Sequence, residues 1–156
     1  MTTLERARSR FDEIDRRISG WMRTYGLALL RYALAVVFIW FGLLKPLGMS
    51  PAAELVANTV YFLPPEWVVP LLGWWEVAIG VGLLFRPLLR AALGLLFLQM
   101  VGTFLPLFIL PDVCYTEVPF GLTTEGQYII KNLVLIGAAF VIGGTVRQGS
   151  EAKRKL

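Results

Sequence analysis

Histidine is absent from this chain of 156 residues, and cysteine occurs only once, at Cys114. Imidazole is the commonest metal ligand, so metal centres, haem ligation and Ser-His catalysis have little support, and we predict no metal site. A single cysteine excludes an intramolecular disulfide. The first twenty or so residues also lack the apolar stretch of a cleaved signal peptide, so we expect the N-terminus to remain on the mature protein.

Charge is scarce as well, because only 17% of the residues are charged and 56% are hydrophobic. An ordinary soluble domain carries about 25% charged residues. A soluble core of this length could not bury so much apolar surface, so we expect a single domain that is solvated by the lipid bilayer. The net charge of +4 comes from basic blocks beside apolar segments. That pattern is typical of membrane topology, and we expect no nucleic-acid partner.

Four apolar stretches are long enough, at about 1.5 Å per residue, to cross a hydrocarbon core of roughly 30 Å. They are predicted at residues 27–47, 68–85, 88–110 and 127–145. Pro87 separates the second from the third, and Arg86 and Arg90 are assigned a structural role in holding this turn among the lipid headgroups. The predicted fold class is all-α, a polytopic membrane protein built as a bundle of four transmembrane helices.

The distribution of Lys and Arg predicts the orientation of these helices. Basic residues precede the first span, follow the last and occupy the 86–90 turn, whereas the other two loops contain acidic residues and no Lys or Arg. By the positive-inside rule we expect a multi-pass protein of the bacterial inner membrane with both termini in the cytoplasm. Cys114 is then expected in an outer loop, as a thiol exposed to an oxidising compartment.

The segment before the first span is predicted to be an amphipathic helix. Its apolar residues recur with alternating steps of three and four: Leu4, Ala7, Phe11, Ile14, Ile18, Trp21 and Tyr25. We interpret residues 1–26 as a helix on the cytoplasmic membrane surface, residues 27–146 as the transmembrane domain and residues 147–156 as a basic cytoplasmic tail. The same spacing satisfies a coiled-coil seam, although Ala7, Trp21 and Tyr25 are unusual seam residues.

Helix starts are predicted in both outer loops. In the first loop, Ser50 is an N-cap candidate and Pro51 a candidate first helical residue for a short helix. In the second, Thr124 and Gln127 have capping-box spacing and predict the start of the fourth span.

Ionisable residues inside the spans are costly in lipid and are therefore candidates for function. Arg31 lies near the inner end of its helix and can extend to the interface, which indicates a structural role. Glu76 lies about nine residues, or roughly 13 Å, inside the second span. We expect it to pair with Lys45, Lys131 or both, because an isolated carboxylate at that depth needs a proton or a cation.

Neutral polar and small residues accompany these charges. Gln99 and Asn132 are the neutral polar candidates, and Trp75 is a candidate for the wall of a pocket around Glu76. On two helices, small residues lie on the same face as the charged residue: Gly73 and Gly80 with Glu76, and Ala35 and Gly42 with Lys45. We expect these helices to approach each other closely at those faces. The group either locks the helices together or forms a ligand pocket that is open to the outer side.

Three segments carry a resemblance to a known family: "RYALAVVFIWFGLLKPLGMSPAAELVANT", "GWWEVAIGVGLLFRP" and "LTTEGQYIIKNLVLIGAAFVIG". From Arg31 to Gly144 the chain resembles the DoxX-like superfamily of four-helix membrane proteins, especially its YkgB branch. Members share an Arg and a Gly-x-x-Lys in the first helix, a Glu in the second and a Lys in the last. The matching residues here are Arg31, Gly42 to Lys45, Glu76 and Lys131.

The resemblance implies several functions. Relatives include the membrane subunit of a thiosulfate:quinone oxidoreductase, proteins associated with oxidative or reactive-chlorine stress, and receptor-assembly chaperones. The first hypothesis is a membrane component of a redox or stress system, with an outward pocket at Glu76, Lys45 and Lys131 for a quinone headgroup or a small anion. The second is a non-enzymatic scaffold or accessory subunit that binds other membrane or redox proteins. The third is a small-solute transporter that works as a homo-oligomer.

Overall fold

The structure is a computed structural model that describes residues 3–146, with side chains from residue 10 onward. Four helical segments in this range are long and apolar enough to cross a membrane. They span Arg10–Leu44, Pro65–Leu84, Arg86–Ile109 and Thr124–Thr145. The structure therefore confirms a helical fold with four candidate spans, which fits a multi-pass membrane protein.

Seven helices and one small hairpin make up the described chain. The helices are α1 (Thr3–Leu44), α2 (Ala53–Thr59), α3 (Pro65–Leu84), α4 (Leu89–Phe104), α5 (Pro106–Ile109), α6 (Pro111–Cys114) and α7 (Thr124–Thr145). Strands β1 (Tyr115–Glu117) and β2 (Gly121–Leu122) pair antiparallel between α6 and α7. A 3₁₀ turn at Arg86–Leu88 joins α3 to α4.

Helix α1 corrects the expectation of a separate N-terminal surface helix. It continues without interruption through residue 26 and is itself a candidate span. The chain has no proline before Pro46, and single glycines at Gly20 and Gly26 cost only about 1 kcal/mol each in a helix interior. A change from charged to apolar composition is therefore no break in the helix. The predicted tail at residues 147–156 lies outside the described residues.

The core lies where α1, α3, α4 and α7 meet. Helix α3 contacts both α1 and α4, and α7 closes the bundle against α4 and α1. The buried core residues are mainly aliphatic: Leu34, Ala35, Phe38, Ile79, Leu83, Leu89, Ala92, Leu93, Leu96, Met100, Ala138, Ala139 and Ile142. Such a core places the inward faces of all four long helices against one another.

The turn between α3 and α4 has the predicted form. Pro87 is the middle residue of the 3₁₀ turn, and the backbone N–H of Leu88 donates to the carbonyl of Phe85 at 3.1 Å. Arg86 is the first residue of this turn, Arg90 lies two residues after its end, and both are exposed. The predicted turn between the second and third spans is confirmed, and α3 and α4 pack against each other on either side of it.

The opposite end of the bundle, called here the α2 end, carries α2, α5, α6 and the β-hairpin. The predicted short helix is present, but it begins at Ala53 after Ala52, so Ser50 is not its N-cap. Helix α7 begins at Thr124, and its N-cap is Thr123, whose hydroxyl accepts from the backbone N–H of Gly126 at 3.2 Å. The predicted Thr124 cap is therefore one residue too late.

Cys114 is buried, which contradicts the expectation of an exposed thiol. Its side chain has no accessible surface and packs with Leu107 and Ile129 in a small apolar cluster at the α2 end. Gly126 lies so close to the carbonyl of Cys114 that no side chain fits there. Burial, and secondly the charge of Glu125, raise the pKa of the Cys114 thiol. The thiol is therefore less reactive than an exposed one.

Candidate functional site

The bundle contains an ion pair between Glu76 on α3 and Lys45, the residue that follows α1. Glu76 lies in the middle of α3, and Lys45 comes directly after Leu44, the last residue of α1. The Nζ of Lys45 lies 2.5 Å from Oε2 of Glu76. The side chains of Lys45 and Glu76 are only 6% and 12% exposed. The predicted pairing of Glu76 with Lys45 is confirmed.

Gln99 on α4 adds a third member. Its Nε2 donates to Oε1 of Glu76 at 2.7 Å, so both carboxylate oxygens have a donor. A buried ion pair needs such additional hydrogen bonds, because the loss of hydration otherwise outweighs the attraction between the charges. We call Lys45, Glu76 and Gln99 the Glu76 cluster. It connects α3 with α4 and with the end of α1.

Close approach of α1 and α3 brings the ion pair together. A Cβ at Gly42 would lie 2.8 Å from the carbonyl oxygen of Gly73 and 2.9 Å from Cβ of Glu76. A Cβ at Gly73 would lie 2.7 Å from Cβ of Lys45. Real Cβ atoms do not approach so closely, so a side chain at either position would push the two helices apart. The predicted small-residue faces are confirmed.

One polar atom of the Glu76 cluster lacks a partner. The Oε1 of Gln99 is buried and accepts no hydrogen bond from any of the residues that the structure describes. The orientation of the Gln99 amide follows from its partner. An ionised carboxylate only accepts hydrogen bonds, so the Nε2 group must face Glu76. An unsatisfied buried acceptor costs about 1–3 kcal/mol. This oxygen marks the point where the cluster can take another donor.

Lys131 and Asn132, both predicted for the site, lie outside the Glu76 cluster. Lys131 is exposed, and its Nζ lies 5.2 Å from the centre of the Tyr128 ring. The Nδ2 of Asn132 donates to the carbonyls of Tyr128 and Ile129 in its own helix, at 2.9 and 3.1 Å. Lys45, and not Lys131, is therefore the cation that neutralises Glu76.

Trp75 and Arg31 take part in local contacts. The indole Nε1 of Trp75 donates to the carbonyl of Leu95 at 3.3 Å, which ties α3 to α4 beside the Glu76 cluster. Arg31 is half-buried, its Nη2 donates to the hydroxyl of Tyr32 at 3.1 Å, and its guanidinium lies 4.9 Å from the centre of that ring. Both arrangements are packing interactions within the bundle.

Two apolar grooves lie on the other side of α4. One, of about 590 Å³, runs between α4 and α7 and is lined by Arg90, Leu93, Gly94, Phe97, Gly143 and Val146. The second, of about 450 Å³, is lined by Phe97, Met100, Val101, Phe104, Leu105, Phe108 and Ile136. Neither groove includes a member of the Glu76 cluster. The sequence gives no signal for either, since their walls are ordinary apolar helix residues.

The pairing of Gln99 with Glu76 was missed, although both residues were predicted for the site. Glu76 lies ten residues before Arg86, and Gln99 lies nine residues after Arg90. Two residues at nearly the same distance from a tight turn between antiparallel helices lie at nearly the same height along the bundle. This symmetry about the turn would have identified Gln99 as the neighbour of Glu76.

Comparison with known proteins identifies no relative. No protein-family model matches the chain, no curated protein matches it, and no solved structure matches it. Within the described residues, no group of three or more Cys, Asp or Glu side chains is placed to hold a metal ion. Function is therefore inferred from the Glu76 cluster and from the sequence.

Proposed function

We propose that this protein is a DoxX-like, integral inner-membrane component of a bacterial redox or oxidative-stress system. In this proposal the Glu76 cluster binds the polar headgroup of a quinone in its reduced form. Both termini and the Arg86–Leu88 turn face the cytoplasm, as the distribution of basic residues indicates. The α2 end, where Lys45 follows α1, then faces outward, and the cluster is reached from that side.

The unpaired Oε1 of Gln99 is the observation that supports this proposal. A quinol hydroxyl is a hydrogen-bond donor and would satisfy it, whereas a small anion offers only acceptors and would leave it unpaired. Lys45 supplies an N–H donor within 2.5 Å of Glu76 for the hydroxyl oxygen of the same headgroup. This chemistry favours a quinol over the small anion among the predicted ligands.

A binding measurement on three variants tests the proposal. The full chain is purified in mild detergent and titrated with a short-chain quinol. Gln99→Leu removes the acceptor, so we expect the Kd to rise about fivefold, since one hydrogen bond is worth roughly 1 kcal/mol. Glu76→Gln, which keeps the shape but removes the charge, should also weaken binding. Lys131→Met is the matched control, because this exposed lysine lies outside the cluster, and its Kd should equal that of the parent.

Failure of the folded parent protein to bind quinol would contradict the proposal. So would a Gln99→Leu variant that folds and binds as tightly as the parent. Extraction of a quinone from the parent but not from Gln99→Leu would support it independently.

One observation favours the second function, a non-enzymatic scaffold or accessory subunit. The ion pair is almost closed to solvent by the approach of Gly42 and Gly73, as expected for a structural lock. Under this alternative Glu76→Gln retains function once folded, and a second protein copurifies in a fixed ratio. Under the quinol proposal Glu76→Gln folds but loses stress protection.

A further inference from the structure

The N-terminal half of α1 carries apolar side chains that nothing in the described chain covers. Five of these residues form what we call the α1 stripe: Phe11, Ile14, Ile18, Trp21 and Tyr25. Their side chains are between 53% and 70% exposed. Contact with the bundle core begins only further along the helix, at Leu27 and Leu30. The stripe therefore belongs to a part of α1 that extends beyond the bundle.

The continuity of α1 argues against burial of the stripe in the membrane surface. Residues 10–26 extend the spanning part of the helix by about 25 Å at 1.5 Å per residue. A helix that lies flat on a leaflet must turn sharply where it enters the span, and α1 is one uninterrupted helix there. An uninterrupted α1 projects the stripe beyond the leaflet, where its exposed apolar residues are available to a protein surface.

The spacing of the α1 stripe matches the heptad pattern of a coiled coil with a second helix of the same spacing. Steps of three, four, three and four residues place Phe11, Ile18 and Tyr25 at one core position of a heptad, and Ile14 and Trp21 at the other. Gly20 lies outside this seam. The rings of Trp21 and Tyr25, tilted by 44° with centroids 5.5 Å apart, occupy the end of the stripe nearest the bundle.

The charges beside the stripe identify the partner as a second copy of this chain in parallel orientation. The heptad places Arg10 at the g position and Asp15 at the following e position. In a parallel pair each Arg10 faces Asp15 of the other copy, which gives two attractive contacts by symmetry. In an antiparallel pair the g positions face one another, and Arg10 and Arg17 would repel. Neither Arg10 nor Asp15 forms an ion pair within residues 10–146, whereas Arg17 pairs with Glu13 at 2.6 Å.

We propose that the N-terminal half of α1 forms a parallel two-stranded coiled coil with α1 of a second copy, through the α1 stripe. Two copies whose spans run in the same direction across one membrane present these helices side by side, and their anchoring favours a short coil that would be weak in solution. The proposal does not depend on what the Glu76 cluster binds.

Disulfide scanning of the full chain in native membranes tests the seam. Single cysteines are placed at Phe11, Ile14 and Ile18 in a Cys114→Ser background. Matched controls at Asp12, Arg16 and Ser19 lie on the same helix but away from the stripe. We expect same-site disulfides at the three stripe positions, with yields at least about fivefold above the controls. If Cys114→Ser proves unstable, Cys114 can be retained, because its thiol is fully buried.

A charge exchange tests the partner and its direction. Arg10→Asp or Asp15→Arg alone places like charges opposite each other in the parallel pair, so dimerisation should weaken by about two- to tenfold. The double change Arg10→Asp with Asp15→Arg should restore it. Stripe cysteines that crosslink no better than the controls, or whose attached nitroxide labels show the oxygen accessibility of lipid, would overturn the proposal. A double variant that dimerises no more strongly than the single variants would also overturn the proposal.

Discussion

The interface of α1 with α3 and the interface of α4 with α7 both contain glycines, but they are built differently. At the first, the backbones almost touch, and a Cβ at Gly73 would lie 2.6 Å from the carbonyl oxygen of Gly42. At the second, a Cβ at Gly94 would meet nothing within 4 Å, and one at Gly143 would meet only a methyl group of Leu93, at 3.6 Å. The same residue type therefore has different consequences in the two places.

The looser interface depends on larger side chains. The rings of Phe97 and Phe140 lie 5.1 Å apart, and a groove of about 590 Å³ remains between the helices. The tight interface holds the Lys45–Glu76 pair, and the loose one has no ion pair within the described residues. Glycines allow a buried charge pair to form only where they bring two backbones together. A glycine in the sequence of a transmembrane helix is not sufficient to predict this.

Removal of the carboxylate at the tight interface should have the largest effect. Glu76→Ala leaves Lys45 buried without a counterion, and breaking a buried pair in this way costs about 3–5 kcal/mol. Unfolding of the purified protein by a denaturing detergent measures the difference. Lys131→Ala, the removal of an exposed charge on α7, should change the free energy of unfolding by less than about 0.5 kcal/mol. Equal effects of the two changes would contradict the assignment of Lys45 as the partner.

A methyl group added to each interface should have the next largest effect. Gly73→Ala forces α1 and α3 apart, and overpacking of this kind costs about 1–3 kcal/mol. Gly94→Ala adds the same group into open space and should be neutral, or stabilising by up to about 1 kcal/mol through helix propensity. The same unfolding assay compares them. If Gly94→Ala destabilised as much as Gly73→Ala, the contrast between the interfaces would be wrong.

The packing of α6 on α7 around Cys114 predicts a smaller, pH-dependent effect. The pKa of the buried thiol is raised, so in the folded protein it stays protonated at alkaline pH values where the unfolded chain already ionises. Unfolding then releases a proton, and stability falls as the pH rises above the ordinary thiol value. Alkylation of Cys114 should be at least about tenfold slower in the folded protein than in the unfolded one, and Cys114→Ser should remove this alkaline loss. Rapid alkylation of the folded protein would show that the thiol is accessible.

Length and hydrophobicity were sufficient to predict the four candidate spans. Pro87 predicted the turn between the second and third spans, and the depth of Glu76 in its helix predicted its need for a cation. The choice of Lys45 over Lys131 was not predictable, because the depth of a residue in a helix does not say which way that helix faces its neighbours. The burial of Cys114 was missed because α6 is too short to show a periodic pattern. The continuity of α1 was missed because a change of composition at residue 26 was interpreted as a change of structure.

A double-mutant cycle on Glu76 and Lys45 tests most directly whether the tight interface is held by a buried ion pair. The free energy of unfolding is measured for Glu76→Ala, Lys45→Met and the double variant. We expect each single change to destabilise and the double change to recover part of the loss, because no unpaired charge then remains, with a coupling of about 1–3 kcal/mol. Single variants as stable as the parent, together with an additive double variant, would contradict the ion pair.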